Sequence, residues 1–253
     1  MRIFALSDIH VDHDANARWV DGLSTADYRD DLLILAGDVT DKPALFEWCL
    51  RAFAKRFRKV IFVPGNHDLW VIRDGREKNS LQKFAEVCAT VEACGATMQT
   101  YRERGVAIHP LLGWYDYSFG QPSEELLAMW MDFRACRWPE GFGANEISAH
   151  FAELNQVTAR ADGETVITCS HFLPRIDAMP WYISGTNRLL YPVLGTTRLE
   201  TQLRKMKPSM HVYGHSHVNR SVKLDGVTYI NNAFGYPSET WIASKDLLAI
   251  HEC

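Results

Sequence analysis

Three apolar runs in the first seventy residues end in the same way. "RIFALSDIH" closes on Asp8 and His10, "DDLLILAGDVTD" on Asp38 and Asp41, and "RKVIFVPGNHD" on Asn66, His67 and Asp68. Short continuous apolar runs rich in β-branched residues predict strands buried on both faces. Between the second and third lies "PALFEWCLRAFAKRF", apolar at positions 45, 46, 49, 50, 53 and 57, with Pro43 fitting a first turn. That spacing predicts a helix, and a strand–helix–strand unit makes a right-handed crossover between parallel strands. Ligands in open α/β sheets gather beyond the carboxyl ends of the strands, where all three polar clusters fall. Burying an amide, an imidazole and a carboxylate side by side without partners costs several kcal/mol, so something must compensate them.

The remaining sequence extends the pattern. "NSLQKFAEVCATVEACG" predicts a helix capped by Asn79 or Ser80 and stopped by Gly95. "GVAIHPLLGW" reads as a strand followed by the aromatic loop "YDYSFG". Helices are expected at 123–136 and 146–160, joined by a Gly/Pro-rich link. "ETVITCSH" is a strand ending in His171, and "PSMHVYGHSH" one ending in His215 and His217, preceded by a helix in "TTRLETQLRKMK". "SVKLDGVTYI" is a hairpin with an Asp-Gly type I′ turn. Residues 172–195 hold three prolines and two glycines without a period, and long irregular segments in compact domains are usually functional or disordered.

Composition sets outer bounds. With 253 residues, 47% of them hydrophobic and 23% charged, the chain can build one large α/β domain without staples. The net charge of −4 argues against electrostatic binding of nucleic acid or acidic lipid. No stretch approaches the ~18 apolar residues of a membrane span, and the N-terminal apolar run is too short for a secretory h-region. The six cysteines form no CxxC pair, which suits reduced thiols and a cytoplasmic location. Residue patterns alone predict a doubly wound parallel sheet.

Five strand ends thus offer Asp8 and His10; Asp38; Asn66 and His67; His171; and His215 with His217. Each piece alone is a turn, a cap or a hydrogen-bonded core histidine. Jointly they need one shared explanation, and two divalent metals provide it, because cations neutralise and coordinate groups otherwise costly to bury.

The ordered set DxH, GD, GNHD, H and GHxH, running from residue 8 to 217, resembles the calcineurin-like metallophosphoesterase superfamily. The resemblance implies an α/β fold with a two-sheet β-sandwich core flanked by helices, in four αββα layers. It would span 1–253 as a single domain, with 172–195 as a lid or substrate loop. One metal would be held by Asp8, His10 and His217, the other by Asn66, His171 and His215, with Asp38 bridging both. His, Asp and Asn suit two divalent or mixed-valence ions such as Mn, Fe or Zn. Two dications outweigh the two carboxylates and a bridging hydroxide, leaving a site that attracts phosphate.

The implied activity is hydrolysis of a small phosphomonoester or phosphodiester by attack of a metal-bound hydroxide. His67 would donate to the phosphate oxygens, oriented by Asp41. Asp68 is open to two readings, a turn residue or a group that orients a neighbour. Arg188 is the expected phosphate contact, and Trp114 and Tyr182 the aromatic faces for an aryl-bearing substrate. The expected partner is a small-molecule phosphoester. A nuclease of the same superfamily is the alternative, though it wants a basic groove. A non-catalytic protein-binding scaffold ranks last, because every motif position is intact.

Overall fold

The computed structural model describes residues 1–158 and 161–253. Its strands are β1 (Arg2–Leu6), β2 (Leu32–Leu35), β3 (Lys59–Phe62), β4 (Tyr101–Glu103), β5 (Val106–Pro110), β6 (Thr165–Cys169), β7 (Met210–Tyr213), β8 (Arg220–Leu224), β9 (Val227–Asn231) and β10 (Leu248–Glu252). They form two sheets, ordered β10-β1-β2-β3 and β4-β5-β6-β7-β9-β8. β1, β2 and β3 are parallel, with β10 antiparallel at the edge. β5, β6, β7 and β9 are parallel in the second sheet, and β4 and β8 close its edges antiparallel.

The two sheets share an apolar interior built from Ile3, Ala5, Ile34 and Ile61 on one side and Ile108, Ile167 and Val212 on the other. The alternate residues Phe4, Leu6, Leu33, Leu35 and Phe62 belong to the other core, which they share with helix residues such as Val20, Phe46 and Phe53. This is the sandwich that the resemblance implied, and it corrects the doubly wound sheet expected from residue patterns alone. A strand between a facing sheet and a helix layer is apolar at every position, as one between two helix layers is. Periodicity therefore cannot tell the two architectures apart.

The helices are α1 (Asp14–Gly22), α2 (Pro43–Ala54), α3 (Ser80–Ala93), α4 (Glu124–Met129), α5 (Asp132–Ala135), α6 (Ala144–Leu154) and α7 (Thr197–Met206). α2 starts at Pro43 as expected, and α3 opens with a reciprocal Asn79–Gln82 capping box. The Asp225-Gly226 turn has positive φ at both residues (47° and 86°), the type I′ signature. Two expected helices are shorter. The one over 123–136 breaks into α4 and α5 at Trp130, whose ψ of 122° is extended. The one over 146–160 ends at Leu154, because Asn155 turns its side chain onto the backbone of Leu112; positions 159–160 lie outside the described residues. No described helix is long and apolar enough to cross a membrane.

Residues 172–195 contain two short 3₁₀ turns, Ile176–Ala178 and Asn187–Val193. The ends of the segment are pinned together by Leu173 N–H to Leu194 O and Thr196 N–H to Leu173 O. Its flanks are buried through Leu173, Ala178 and Val193, while Trp181 and Tyr182 stand exposed at its tip.

His211 lies within β7, fully buried, with Nδ1 2.8 Å from Thr168 Oγ1 and Nε2 3.0 Å from Ser170 Oγ. Burial lowers its pKa to about 3, against ~6.5 for an unperturbed histidine. Between those values the unfolded chain binds a proton that the folded chain refuses, so stability is full above pH ~6.5 and falls as the pH drops towards 3. Denaturant unfolding of His211→Gln in chelator is expected to show a shallower loss of stability between pH 6 and 4 than the parent chain.

Candidate metal centre

The donors occupy the turns directly after the strands. Asp8, His10, Asp38, His215 and His217 all adopt left-handed backbone, with φ of 52°, 41°, 56°, 66° and 54°. Asp and His tolerate this region better than most residues, but each instance still costs about 1–3 kcal/mol and must be held by its surroundings. One carboxylate does much of the holding. Buried Asp68 accepts backbone N–H bonds from Gly65 (2.8 Å), Asp38 (2.9 Å), Val39 (2.9 Å) and Thr40 (3.2 Å). It thereby ties the loop after β3 to the loop after β2, so both readings of Asp68 from sequence hold at once. The loops approach so closely that a Cβ on Gly37 (φ +84°) would lie 2.5 Å from His171 Nδ1, and one on Gly65 would strike the Asp38 carboxylate.

This packing gathers two donor clusters. In one, Asp8, His10, Asp38 and His217 each place a ligand atom within 4.8 Å of the others; in the second, Asp38, His171 and His215 do the same. Asp38 is common to both. Asn66 joins the second, with Oδ1 3.1 Å from His171 Nε2.

The outward bonds of the imidazoles show that these residues fit cations. His171 Nδ1 meets Ala36 O at 2.9 Å and His215 Nε2 meets Val193 O at 3.0 Å. A carbonyl can only accept, so each of those nitrogens carries the proton. The lone pairs of His171 Nε2 and His215 Nδ1 then face each other across 3.1 Å. His217 likewise spends Nδ1 on Glu239 at 2.7 Å and turns Nε2 towards His10 Nε2, 3.2 Å away. Such outward partners fix tautomer and orientation in metal-ligating histidines. Buried His10 Nδ1 has no hydrogen-bond partner among the described residues.

Burial pushes the pKa of His10, His171 and His215 down, which keeps these rings neutral, as metal ligation requires. Burial also pushes Asp38 up, with Asp8 adding to the effect. For Asp8, burial raises the pKa, but the facing His217 outweighs it and the carboxyl is held well below its ordinary range. His217 is lowered by burial yet carried up to about 10 by Asp8 and Glu239.

His67 stands at the mouth of the centre. Its backbone N–H bonds Asp38 Oδ1 at 2.9 Å, and its ring stacks on Trp70 with centroids 3.7 Å apart. The expected Asp41 partner is not there: the Asp41 carboxylate pairs with Arg73 at 2.7 Å. The His67 ring stacks on Trp70 instead, with its Nε2 3.8 Å from Asp38 Oδ2. A cleft of about 330 Å³ opens over Asp38, Asn66, His67, His215 and His217. A larger cavity of about 530 Å³, between α3 and the residues after β5, contains none of the donors.

Three expected substrate contacts lie elsewhere. Trp114 is only 1% exposed and packs against Trp138, Tyr115 and Phe172, so its indole fills the core. Tyr182 is 65% exposed and does not line the cleft. Arg188 spends its guanidinium on the carbonyls of Ile183 and Trp181, bracing its own loop. The cleft wall instead takes Met179, Ile183, Leu190 and Leu194 from the 172–195 segment, with Tyr236 and Ile242 opposite. Sequence reading missed Glu239, in the irregular segment after β9, and Asp132, at the start of α5; both are isolated carboxylates with no motif around them.

The Asp68 arrangement gives a stability expectation. Asn at 68 offers one acceptor oxygen to the four donors, and each buried N–H left unpaired costs about 1–3 kcal/mol. Asp68→Asn is therefore expected to lower the unfolding free energy by roughly 2–5 kcal/mol, measured by denaturant titration; a change within error would show the carboxylate to be dispensable.

The chain is 27% identical to the [acyl-carrier-protein] phosphodiesterase PptH of Mycobacterium tuberculosis over 265 residues, covering 94% of this chain and 78% of that protein. The crystal structure of phosphopantetheinyl hydrolase (PptH) from M. tuberculosis superposes with a TM-score of 0.73 at 25% identity, over 98% of this chain and 95% of its own. A further solved structure, 12% identical with a TM-score of 0.51 over 92% of this chain and 90% of its own, shares the fold alone. The family model for calcineurin-like phosphoesterases matches residues 1–219. The chain belongs to the calcineurin-like phosphoesterase family, metal-dependent hydrolases of phosphoesters with a dinuclear divalent centre.

Proposed function

We propose that the chain is a phosphodiesterase that removes a phosphopantetheinyl group from a carrier protein, with residues 1–253 acting as one catalytic domain. The observation that carries this reading is the position of Asp38. Its carboxylate is shared by both donor clusters at the floor of a cleft whose walls are largely apolar. Such a site suits a phosphodiester with an extended organic arm. The likeness to PptH over nearly the whole of both folds supports the same substrate class. The substrate would be protein-linked, in place of the free small molecule expected from sequence.

In this reading Asp8, His10 and His217 would hold one cation and Asn66, His171 and His215 the other, with Asp38 belonging to both donor clusters. Two divalent cations held there would supply acidification of water and neutralisation of phosphate oxygens. The protein does the rest by position. Outward bonds to Ala36, Val193 and Glu239 keep three imidazoles aimed inward. Burial lowers the His67 pKa to about 3, with nearby His171 and His217 adding to the effect. The neutral ring, stacked on Trp70, then offers an N–H to oxygens that gain charge in the transition state. Met179, Ile183 and Leu190 give the organic arm an apolar wall, so the 172–195 segment is the substrate loop.

His67→Ala is expected to retain both cations by elemental analysis while kcat falls about 10²-fold or more; an unchanged kcat would remove His67 from the chemistry. The substrate class is tested by incubating manganese-loaded enzyme with a phosphopantetheinylated carrier protein and following its intact mass. Loss of the phosphopantetheinyl mass, leaving the unmodified carrier protein, is the expected result. Cleavage of p-nitrophenyl phosphate with the carrier protein left untouched would point to a monoesterase instead.

A further inference from the structure

Asp132, the first residue of α5, is far in sequence from every motif, yet its buried carboxylate meets three side chains of the centre. Oδ1 accepts from Asn66 Nδ2 at 2.9 Å and from Trp70 Nε1 at 2.7 Å, and Oδ2 accepts from Trp130 Nε1 at 2.8 Å. An indole N–H can only donate, so both oxygens are committed as acceptors. Asn66 must therefore present its NH₂ to Asp132 and its oxygen to the opposite side, where Oδ1 lies 3.1 Å from His171 Nε2. The network, not an arbitrary amide assignment, fixes which way Asn66 faces.

We propose that Asp132 is a positioning residue that selects the oxygen-inward rotamer of Asn66, and so creates one of the two cation sites. The same carboxylate holds Trp70, on which His67 stacks, and Trp130, which lines the cleft. It thus links a ligand, the stacking partner of the phosphate-facing histidine and a cleft wall. The backbone secures its place: Val71 N–H bonds Ala135 O at 2.8 Å, docking α5 on the segment that follows His67. The break between α4 and α5 at Trp130 has a use in this arrangement, because it lets Trp130 and Asp132 meet.

The inference rests on Asn66 being a cation ligand, and the test separates the two ideas. Metal-stripped protein is titrated calorimetrically with Mn²⁺, with elemental analysis and thermal melts alongside. The parent chain should bind two equivalents; fewer than two would overturn the ligand reading itself. Asp132→Asn, which can turn its own NH₂ on the Asn66 amide, should keep one equivalent and weaken the other about 10–100-fold, the usual cost of losing a partner behind a ligand. Asn66→Asp sets two carboxylates face to face and should weaken the same equivalent. The double variant Asn66→Asp/Asp132→Asn inverts the pair, with a donor at 132 and an oxygen facing inward whichever way residue 66 turns. It should recover the second equivalent to within a few-fold of the parent. A merely structural role for Asp132 would leave the double variant no better than the singles. Parent-like binding of both equivalents by Asp132→Asn would also overturn the proposal. Should Asp132→Asn not fold, Asn66→Asp alone decides, since parent-like binding there is equally fatal.

Discussion

Four backbone N–H groups from two different loops converge on the carboxylate of Asp68. The ends of β2 and β3 cannot separate without stranding those donors in a dry interior, so the loop carrying Asp38 is tied to the loop carrying Asn66 and His67. Everything at the centre depends on that closeness. It explains why glycines stand at 37 and 65, where a side chain would enter His171 or the Asp38 carboxylate. It also explains how several left-handed residues persist together, because a loop held at both ends can keep a conformation it would not choose alone. A chain with the same donors and a looser junction would have the chemistry without the geometry.

The second element is the supply of hydrogen bonds behind the imidazoles. Ala36 O and Val193 O each take the proton of one histidine nitrogen and leave the other as a lone pair. Glu239 accepts the Nδ1 proton of His217 with a full charge, and Asp132 accepts from the amide of Asn66. The centre is thus a shell of donors aimed inward by a shell of acceptors. Beside Ala36, at the edge of the motif after β2, this outer shell draws on parts of the chain with no evident motif: the 172–195 segment, the start of α5, and the loop after β9.

The inner shell was legible in the sequence because each of its members ends an apolar run. Asp8, His10, Asp38, Asn66, His171, His215 and His217 stand at the carboxyl ends of five strands, and the structure brings all seven together. The two-sheet architecture was not legible from periodicity, since helix-facing and sheet-facing positions are equally apolar; it came from resemblance. Asp41 illustrates a different limit. Its spacing from Asp38 suggested a partner for His67, but Arg73 is nearer and takes the charge. Trp114 and Arg188 were offered as substrate contacts from loop position, and loop position says nothing of which way a side chain turns. One turned into the core and the other braced its own loop. Asp132 and Glu239 carried no sequence signal at all, because a hydrogen bond across 66 residues leaves no local pattern.

The central claim is that seven donors from five strand ends hold two cations about a shared Asp38. Anomalous diffraction at the manganese edge, from crystals grown with Mn²⁺, tests it most directly. Two peaks are expected at the floor of the cleft, one among Asp8, His10 and His217, the other among Asn66, His171 and His215, with Asp38 beside both. A single peak, or peaks away from these side chains, would contradict it.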